Sequence, residues 1–381
     1  MQEIKKSRIV IVSVLKPVDD TRMFEKMAIS LSTVHSPQST VNTDVQVFGY
    51  PSTRTPAVLS GITLHPSPAF SRLSFARVMM PWRLYRAIRK LHPDLVIINT
   101  HELLMVALML KLRIGCRVIY DIQENYYRNI LHTPAFGPGV RHVLALYVRL
   151  REKLAAPLID HFLVAEKTYP LEMRFLPANR TTIVENKLKR PSTQAARWKP
   201  GDTTMRLLFS GTLAESTGVF DAVALATALH TQDLNVQLTI IGYCARRPEL
   251  DRLQTLIHDK PFITLVGGDR LVPHAAILDA ISRAHFGIIA YPPNPSTDGA
   301  IPTKLYEYLG LALPILLTDH HPHWLALCEP SQAALVFNPG QIDADGLLQA
   351  MKTRQFYTSA PKGIYWEDEE SHLTNVINGL I

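Results

Sequence analysis

Pro302-Thr-Lys-Leu-Tyr-Glu-Tyr-Leu-Gly-Leu-Ala-Leu-Pro-Ile315, preceded by Phe286-Gly-Ile-Ile-Ala-Tyr291 and followed by Leu316-Leu-Thr318, decides the fold. The first apolar run is short and ends in a proline-rich turn, which predicts a strand. Pro302 stands where a first helical turn tolerates a missing N–H, and Leu305, Tyr308, Leu309 and Leu311 follow at helical spacing. Pro314 to Thr318 predicts a second strand. Lys304 therefore falls in the first turn of a helix, where free backbone N–H groups favour an anion, and Glu307 follows one turn later on the same side. A cation for phosphate beside a carboxylate for hydroxyls suits a sugar nucleotide. An ordinary solvated i, i+3 pair is the plain alternative for the same two residues.

The block from 302 to 315 resembles the donor-binding signature of the retaining, nucleotide-sugar-dependent glycosyltransferases with the two-domain GT-B fold, of the family-four type. The resemblance implies that Glu307 binds the donor ribose. Family members carry a second Glu eight residues earlier, contacting the transferred sugar; here Gly299 stands there with Asp298 beside it, and both are taken as donor contacts.

Composition sets the frame. With 381 residues, 47% hydrophobic and 19% charged, the chain has material for two domains with real cores. Cys116, Cys244 and Cys328 are far apart and lack metal-ligand spacing, so neither a disulfide framework nor a zinc site is expected. No apolar run reaches membrane-spanning length, and the N-terminus runs straight into a strand, so a cytoplasmic protein is expected. Residues 1 to 200 hold 29 Lys and Arg against 14 Asp and Glu, whereas residues 201 to 381 hold 11 against 19, which assigns the halves different partners.

In chain order, Ile9 to Val14 predicts a buried strand, followed by Asp19-Asp-Thr-Arg22 before a helical pattern. Asp20 or Thr21 can simply cap that helix. The resemblance instead implies an acceptor-side turn, making Asp20, Thr21 and Arg22 acceptor contacts. Asp44 to Gly49 and Gly61 to Leu64 predict strands, and Ser71 to Leu91 a helix broken at Pro81. The stretch Phe70 to His92 contains six Lys and Arg and no acid, interleaved with aromatics and methionines, and reads as a basic amphipathic surface.

Asp94 to Asn99 and Arg117 to Ile122 are further expected strands. Thr100-His-Glu102 caps the helix between them. Ligands in open parallel sheets lie beyond the carboxyl ends of strands, so His101, Glu102, Gln123 and Glu124 should share one crevice. Relatives often place a His at the position of Gln123; a glutamine amide does not titrate and can only orient groups. Base work then falls to Glu124, Glu102 or the leaving phosphate, and these with Gln123 are the candidate catalytic residues.

His161 to Ala165 and Thr181 to Val184 complete the first series of strands. A second runs through Met205 to Ser210, Val236 to Ile241, Ile263 to Gly268, the two strands already named, and Ala334 to Phe337. The turn Gly211-Thr-Leu-Ala-Glu-Ser-Thr-Gly218 lets backbone N–H groups approach phosphate. By resemblance it grips the donor diphosphate, but Thr212 and Thr217 stand where relatives are basic. Gly211, Thr212, Ser216, Thr217 and Lys304 are thus the expected phosphate contacts, with Arg246 or Arg247 as further cations. Asp343 and Asp345 read as a solvated turn rather than a metal site.

Strands alternating with helices predict two doubly wound Rossmann-like α/β domains, facing a cleft in the GT-B manner, with a C-terminal helix crossing back to the first domain. The expected boundaries are 1–190 for an acceptor domain, 191–204 for a linker, 205–362 for a nucleotide-sugar domain and 363–381 for the crossing helix. The resemblance implies glycosyl transfer from a nucleotide-diphosphate sugar to a glycan or lipid-linked acceptor in cell-surface polysaccharide or glycoconjugate synthesis, retaining and metal-independent, with no cofactor. The basic first half adds contact with an anionic membrane at its inner face. A non-catalytic sugar-nucleotide scaffold and a GT-B-fold epimerase are the alternatives, and no nucleic-acid module is present.

Overall fold

The computed structural model describes residues 6–32, 43–52, 59–71, 74–132, 137–297 and 299–381. The chain forms two compact units: Met1–Asn186 together with Trp366–Ile381, and Lys187–Tyr365. Residues 191 to 204, expected as linker, lie against the second unit, where the Ala195 and Ala196 amides donate to the carbonyls of Leu311 and Ser282 at 2.6 and 2.8 Å.

Unit 1 is built on β1 (Ser7–Pro17), β2 (Thr43–Tyr50), β3 (Ile62–Pro66), β4 (Leu95–Ile98), β5 (Arg117–Ile122), β6 (His161–Val164) and β7 (Thr181–Ile183). Their order across the sheet is β3-β2-β1-β4-β5-β6-β7, and the pairings are parallel. Unit 2 holds β8 (Met205–Thr212), β9 (Val236–Tyr243), β10 (Ile263–Gly268), β11 (Phe286–Ile289), β12 (Ile315–Thr318) and β13 (Ala334–Phe337). These are again parallel, in the order β10-β9-β8-β11-β12-β13. Each sheet reverses strand order once, at β1/β4 and at β8/β11, and such switch points open crevices beyond the strand ends.

Helices cover both faces, so each strand divides its side chains between two cores. In β1, Val10, Val12 and Val14 join one cluster while Ile9 and Ile11 join the other. In β8, Leu207 and Phe209 face one side and Leu208 the opposite one. The last helix, Trp366–Asn378, belongs to unit 1. Trp366, Leu373 and Ile377 enter the same core as Ile9, and the Trp366 indole N–H donates to Ser30 Oγ at 2.8 Å.

Two local expectations change. Phe75–Leu91 is one helix that contains Pro81 without ending there. Proline forfeits a single backbone bond at that point, and Ser74 caps the start by accepting from the Arg77 amide. Arg72, part of the expected basic surface, lies outside the described residues. Thr100 makes no capping bond; a short 3₁₀ turn, His101–Leu103, leads instead into the helix Leu104–Ile114.

Candidate functional site

The strongest constellation lies in unit 2, at the β8/β11 switch point. The helix Thr303–Gly310 places Lys304 in its first turn, and the side chain is buried to 5% exposure. Its Nζ has no hydrogen-bond partner among the described residues. It stands 4.0 Å from the centre of the Phe209 ring and 5.1 Å from that of Tyr291, so the charge rests on two aromatic faces. Burial pushes its pKa down to about 7, against the pull of nearby Glu307. A buried ammonium without a hydrogen-bond partner is costly, and an anion beside it would relieve that cost.

The turn that ends in Gly218 lies beside the ammonium. Gly211, next to last in β8, has φ +98, and a Cβ there would stand in van der Waals contact with Lys304, 3.5 Å from Cε and 3.9 Å from Nζ. The absent side chain therefore leaves the Gly211 turn open towards the ammonium. Gly218, which caps the turn at φ +78, has no room for a Cβ, since it would lie 1.8 Å from the Ala290 carbonyl oxygen. The loop is thus held tightly against the end of β11.

Within the turn, Thr212 and Ser216 are exposed, but Thr217 is turned inward. Its hydroxyl lies 2.8 and 2.9 Å from the carbonyls of Thr212 and Ala214 and 3.2 Å from the Ala214 amide. It shapes the loop. Arg246 and Arg247 take surface ion pairs with Glu249 and Asp251 at 2.7 and 2.8 Å. Asp343 caps a helix by accepting from the Gly346 amide at 3.0 Å.

Glu307 lies one turn after Lys304, half-buried, with Oε1 3.1 Å from His274 Nε2. His274 opens the helix His274–Arg283 and was not singled out by the sequence; 33 positions separate the pair and no local pattern joins them. The loop before the Lys304 helix is braced at both ends. The Tyr291 carbonyl accepts from Thr318 Oγ1 at 3.3 Å and lies 3.2 Å from His321 Nε2, while the Ala300 carbonyl accepts from the Trp324 indole at 2.7 Å. Gly299, in that loop, has φ +76. Asp298 lies outside the described residues.

In unit 1 the candidate residues gather at the carboxyl ends of β1, β4 and β5. Asp121, fully buried, receives Arg22 Nε and Nη2 at 2.9 and 2.6 Å, Asn99 Nδ2 at 2.7 Å and Gln123 Nε2 at 2.7 Å. Arg22 is 1% exposed, and two of its three guanidinium nitrogens are taken up by Asp121. Burial opposes its charge, but Asp121 more than offsets this and raises the pKa. Asp20 accepts from the Arg22 and Met23 amides at 3.0 Å, which is the capping role; Thr21 beside it is half-buried. Lys16, also missed from sequence, donates to Gln123 Oε1 and lies 4.0 Å from Asp20.

Glu102 is paired with Arg77, its Oε1 3.1 Å from Arg77 Nε. Glu124 is exposed and accepts from Asn129 at 3.0 Å. His101 packs edge-on to Tyr126, and burial pushes its pKa down to about 4, so the ring is neutral at pH 7. Among the described residues no group of three His, Cys, Asp or Glu could hold a metal.

No protein-family model matches the chain, and no curated protein sequence does. Solved structures match it over nearly its full length. Sucrose-phosphate synthase from Thermosynechococcus elongatus aligns at 14% identity over 98% of this chain and 99% of that one, with a TM-score of 0.73. Anabaena HepE in complex with UDP and glucose aligns at 12% identity, 98% and 100% coverage and a TM-score of 0.63. The lipopolysaccharide outer core galactosyltransferase WaaB aligns at 14% identity, 98% and 100% coverage and a TM-score of 0.61. What is shared at these identities is the fold, the two Rossmann-like domains of the GT-B architecture.

Proposed function

We propose that the chain is a glycosyltransferase that moves a sugar from a nucleotide-diphosphate sugar to a hydroxyl of a glycan or lipid-linked acceptor, in the synthesis of cell-surface polysaccharide or glycoconjugate. The observation that carries this reading is the buried, unpartnered Lys304 ammonium beside the open Gly211 turn, with Glu307 one helical turn away. Support comes from fold-mates that hold such ligands: HepE with UDP-glucose, and the E. coli trehalose-6-phosphate structure with UDP-2-fluoro glucose.

Lys304 and the amides of the 211–217 turn, with Thr212 and Ser216, receive the diphosphate. Glu307 exchanges His274 for ribose hydroxyls. Gly299, on the loop before the Lys304 helix, is assigned to the transferred sugar, as the resemblance assigns Asp298. As the bond from the anomeric carbon to the diphosphate breaks, the acceptor oxygen bonds to that carbon on the same face, giving retention. The acceptor proton passes to the leaving phosphate, whose growing charge Lys304 offsets. No metal enters this scheme.

On unit 1, Gln123 orients the acceptor, held in place by Asp121 and Lys16. Of the two carboxylates, Glu124 is the more open, because Glu102 is engaged by Arg77. Asp20, Thr21 and His101 border the same strand ends. Three buried free cysteines support a cytoplasmic location.

The test is a thermal-shift screen of sugar nucleotides, since a ligand at 100 times its dissociation constant stabilises by about 2.7 kcal/mol. It is followed by an assay for nucleotide diphosphate released in the presence of acceptor. Transfer requires a glycosylated acceptor with the donor's anomeric configuration, unaffected by a chelator. Interconversion of sugar nucleotides without an acceptor would indicate an epimerase, and binding without turnover a scaffold.

A further inference from the structure

The helix Pro138–Ala155 in unit 1 faces the wrong way for a helix that ends at solvent. Val140, Val143, Tyr147, Leu150 and Leu154 recur at i, i+3 and i+4 spacing, and all are more than half exposed, Val143 at 70% and Leu154 at 69%. Its inner face holds Ala145, Val148 and Ala155 together with the buried Glu152. The large apolar stripe is the outer one.

Two neighbouring helices extend the surface. Leu104–Ile114 packs against both Pro138–Ala155 and Phe75–Leu91. It exposes Met105 and Leu112, while Phe75–Leu91 exposes Phe75, at 77%, with Val78 and Trp82. Between the helices runs a groove of about 980 Å³, lined by Phe75, Val78, Trp82, Met105, Met109 and Tyr147, with Arg77, Glu102 and Arg151 also in its wall. An exposed apolar surface spread over three adjacent helices marks an interaction site.

Charge selects the partner. On Phe75–Leu91 the apolar residues occupy the first half of the exposed face, and Arg83, Arg86, Arg89 and Lys90 the second half, all exposed. Leu104–Ile114 adds Arg113, its Lys111 being paired with Asp160 at 2.7 Å, and Pro138–Ala155 adds Arg141, Arg151 and Lys153. The sole acid on these three helices is Glu152, which is buried and bonded to Tyr120. Two copies of so basic a face would repel each other. Apolar side chains ringed by cations match an anionic bilayer, with hydrocarbon beneath the first and phosphate beside the second. Among the described residues no helix is long and apolar enough to cross a membrane, so the contact is peripheral.

We propose that this three-helix face of unit 1 seats on an anionic lipid bilayer, with the groove between Phe75 and Tyr147 admitting a lipid chain. The proposal stands apart from the sugar-transfer reading. Glu102, which follows β4, is in the groove wall, so under the sugar-transfer reading the groove adjoins the acceptor side.

The experiment is flotation of the full chain with phosphatidylcholine vesicles, with and without phosphatidylglycerol, at low and physiological salt. Binding is expected with phosphatidylglycerol alone, weakening about tenfold as salt rises, because the Debye length shrinks to about 8 Å. Trp82 fluorescence should be quenched by brominated chains in those vesicles. Two variants divide the surface: Trp82→Ser with Leu150→Ser removes apolar contacts, and Arg86→Ser with Arg89→Ser removes charge. Each should lower binding at least about tenfold, with thermal unfolding and any sugar-nucleotide shift unchanged. That last readout separates failure of this proposal from failure of the sugar-transfer reading. No binding to phosphatidylglycerol at low salt overturns it. So does binding that ignores Trp82→Ser with Leu150→Ser, or a dimer in light scattering that those substitutions dissolve.

Discussion

Lys304 couples donor binding to pH in a way that few other residues could imitate. In the free protein its pKa is about 7 because burial removes hydration and no partner replaces it. An anion bound beside it restores the charged form, so binding takes up protons above neutral pH. At pH 7 about half the lysine is charged and at pH 9 about 1%, so affinity for a nucleotide-diphosphate sugar should fall about fiftyfold, or about 2 kcal/mol. Calorimetry in two buffers of different ionisation enthalpy should show uptake of about half a proton at pH 7. Lys304→Met keeps the apolar stem and removes the buried charge, so it should weaken binding, flatten the pH profile and raise the melting temperature of the free protein. The sign follows from linkage: the folded pKa lies below the ordinary 10.5, the unfolded chain binds more protons in between, and wild-type stability therefore rises with pH from about 7 to about 10.5. An affinity level from pH 7 to 9, or a slope that survives in Lys304→Met, would refute the reasoning.

Glu307→Gln should leave the fold intact and weaken sugar-nucleotide binding by about 1–3 kcal/mol; unchanged affinity in calorimetry would remove it from the site. Trp324→Phe deletes the indole bond to Ala300 and should destabilise by about 1–3 kcal/mol, with a loss of donor affinity as the loop loosens; chemical denaturation and titration measure the two separately. Gln123→Ala should lower turnover with donor affinity unchanged, and intact turnover would move the acceptor elsewhere. Arg22→Met leaves Asp121 without its ion pair and should cost about 3–5 kcal/mol of stability, read from denaturant midpoints.

Among the described residues, the central strands of both sheets were legible because they are buried on both faces and read as apolar runs, whereas the edge strands β3, β7 and β10 are only partly buried and showed through short β-branched or apolar stretches between turns. Lys304 and Glu307 were legible for a different reason: helical periodicity fixes two residues to one side of a helix without knowledge of the rest of the fold. Contacts across the chain leave no such trace. His274 meets Glu307 from another helix, and Lys16 reaches Gln123 across 107 positions. Arg22 illustrates the converse limit, since a charged residue after a strand reads as a ligand contact until its rotamer is seen to turn inward onto Asp121. The helix Pro138–Ala155 is harder still. Its period is visible in the sequence, but a helix with apolar residues on both sides does not declare which side faces inward. A contact from outside the helix decides it: Glu152 turns inward to accept from the Tyr120 hydroxyl, on the side that holds Ala145, Val148 and Ala155, and Tyr147, Leu150 and Leu154 are left pointing out.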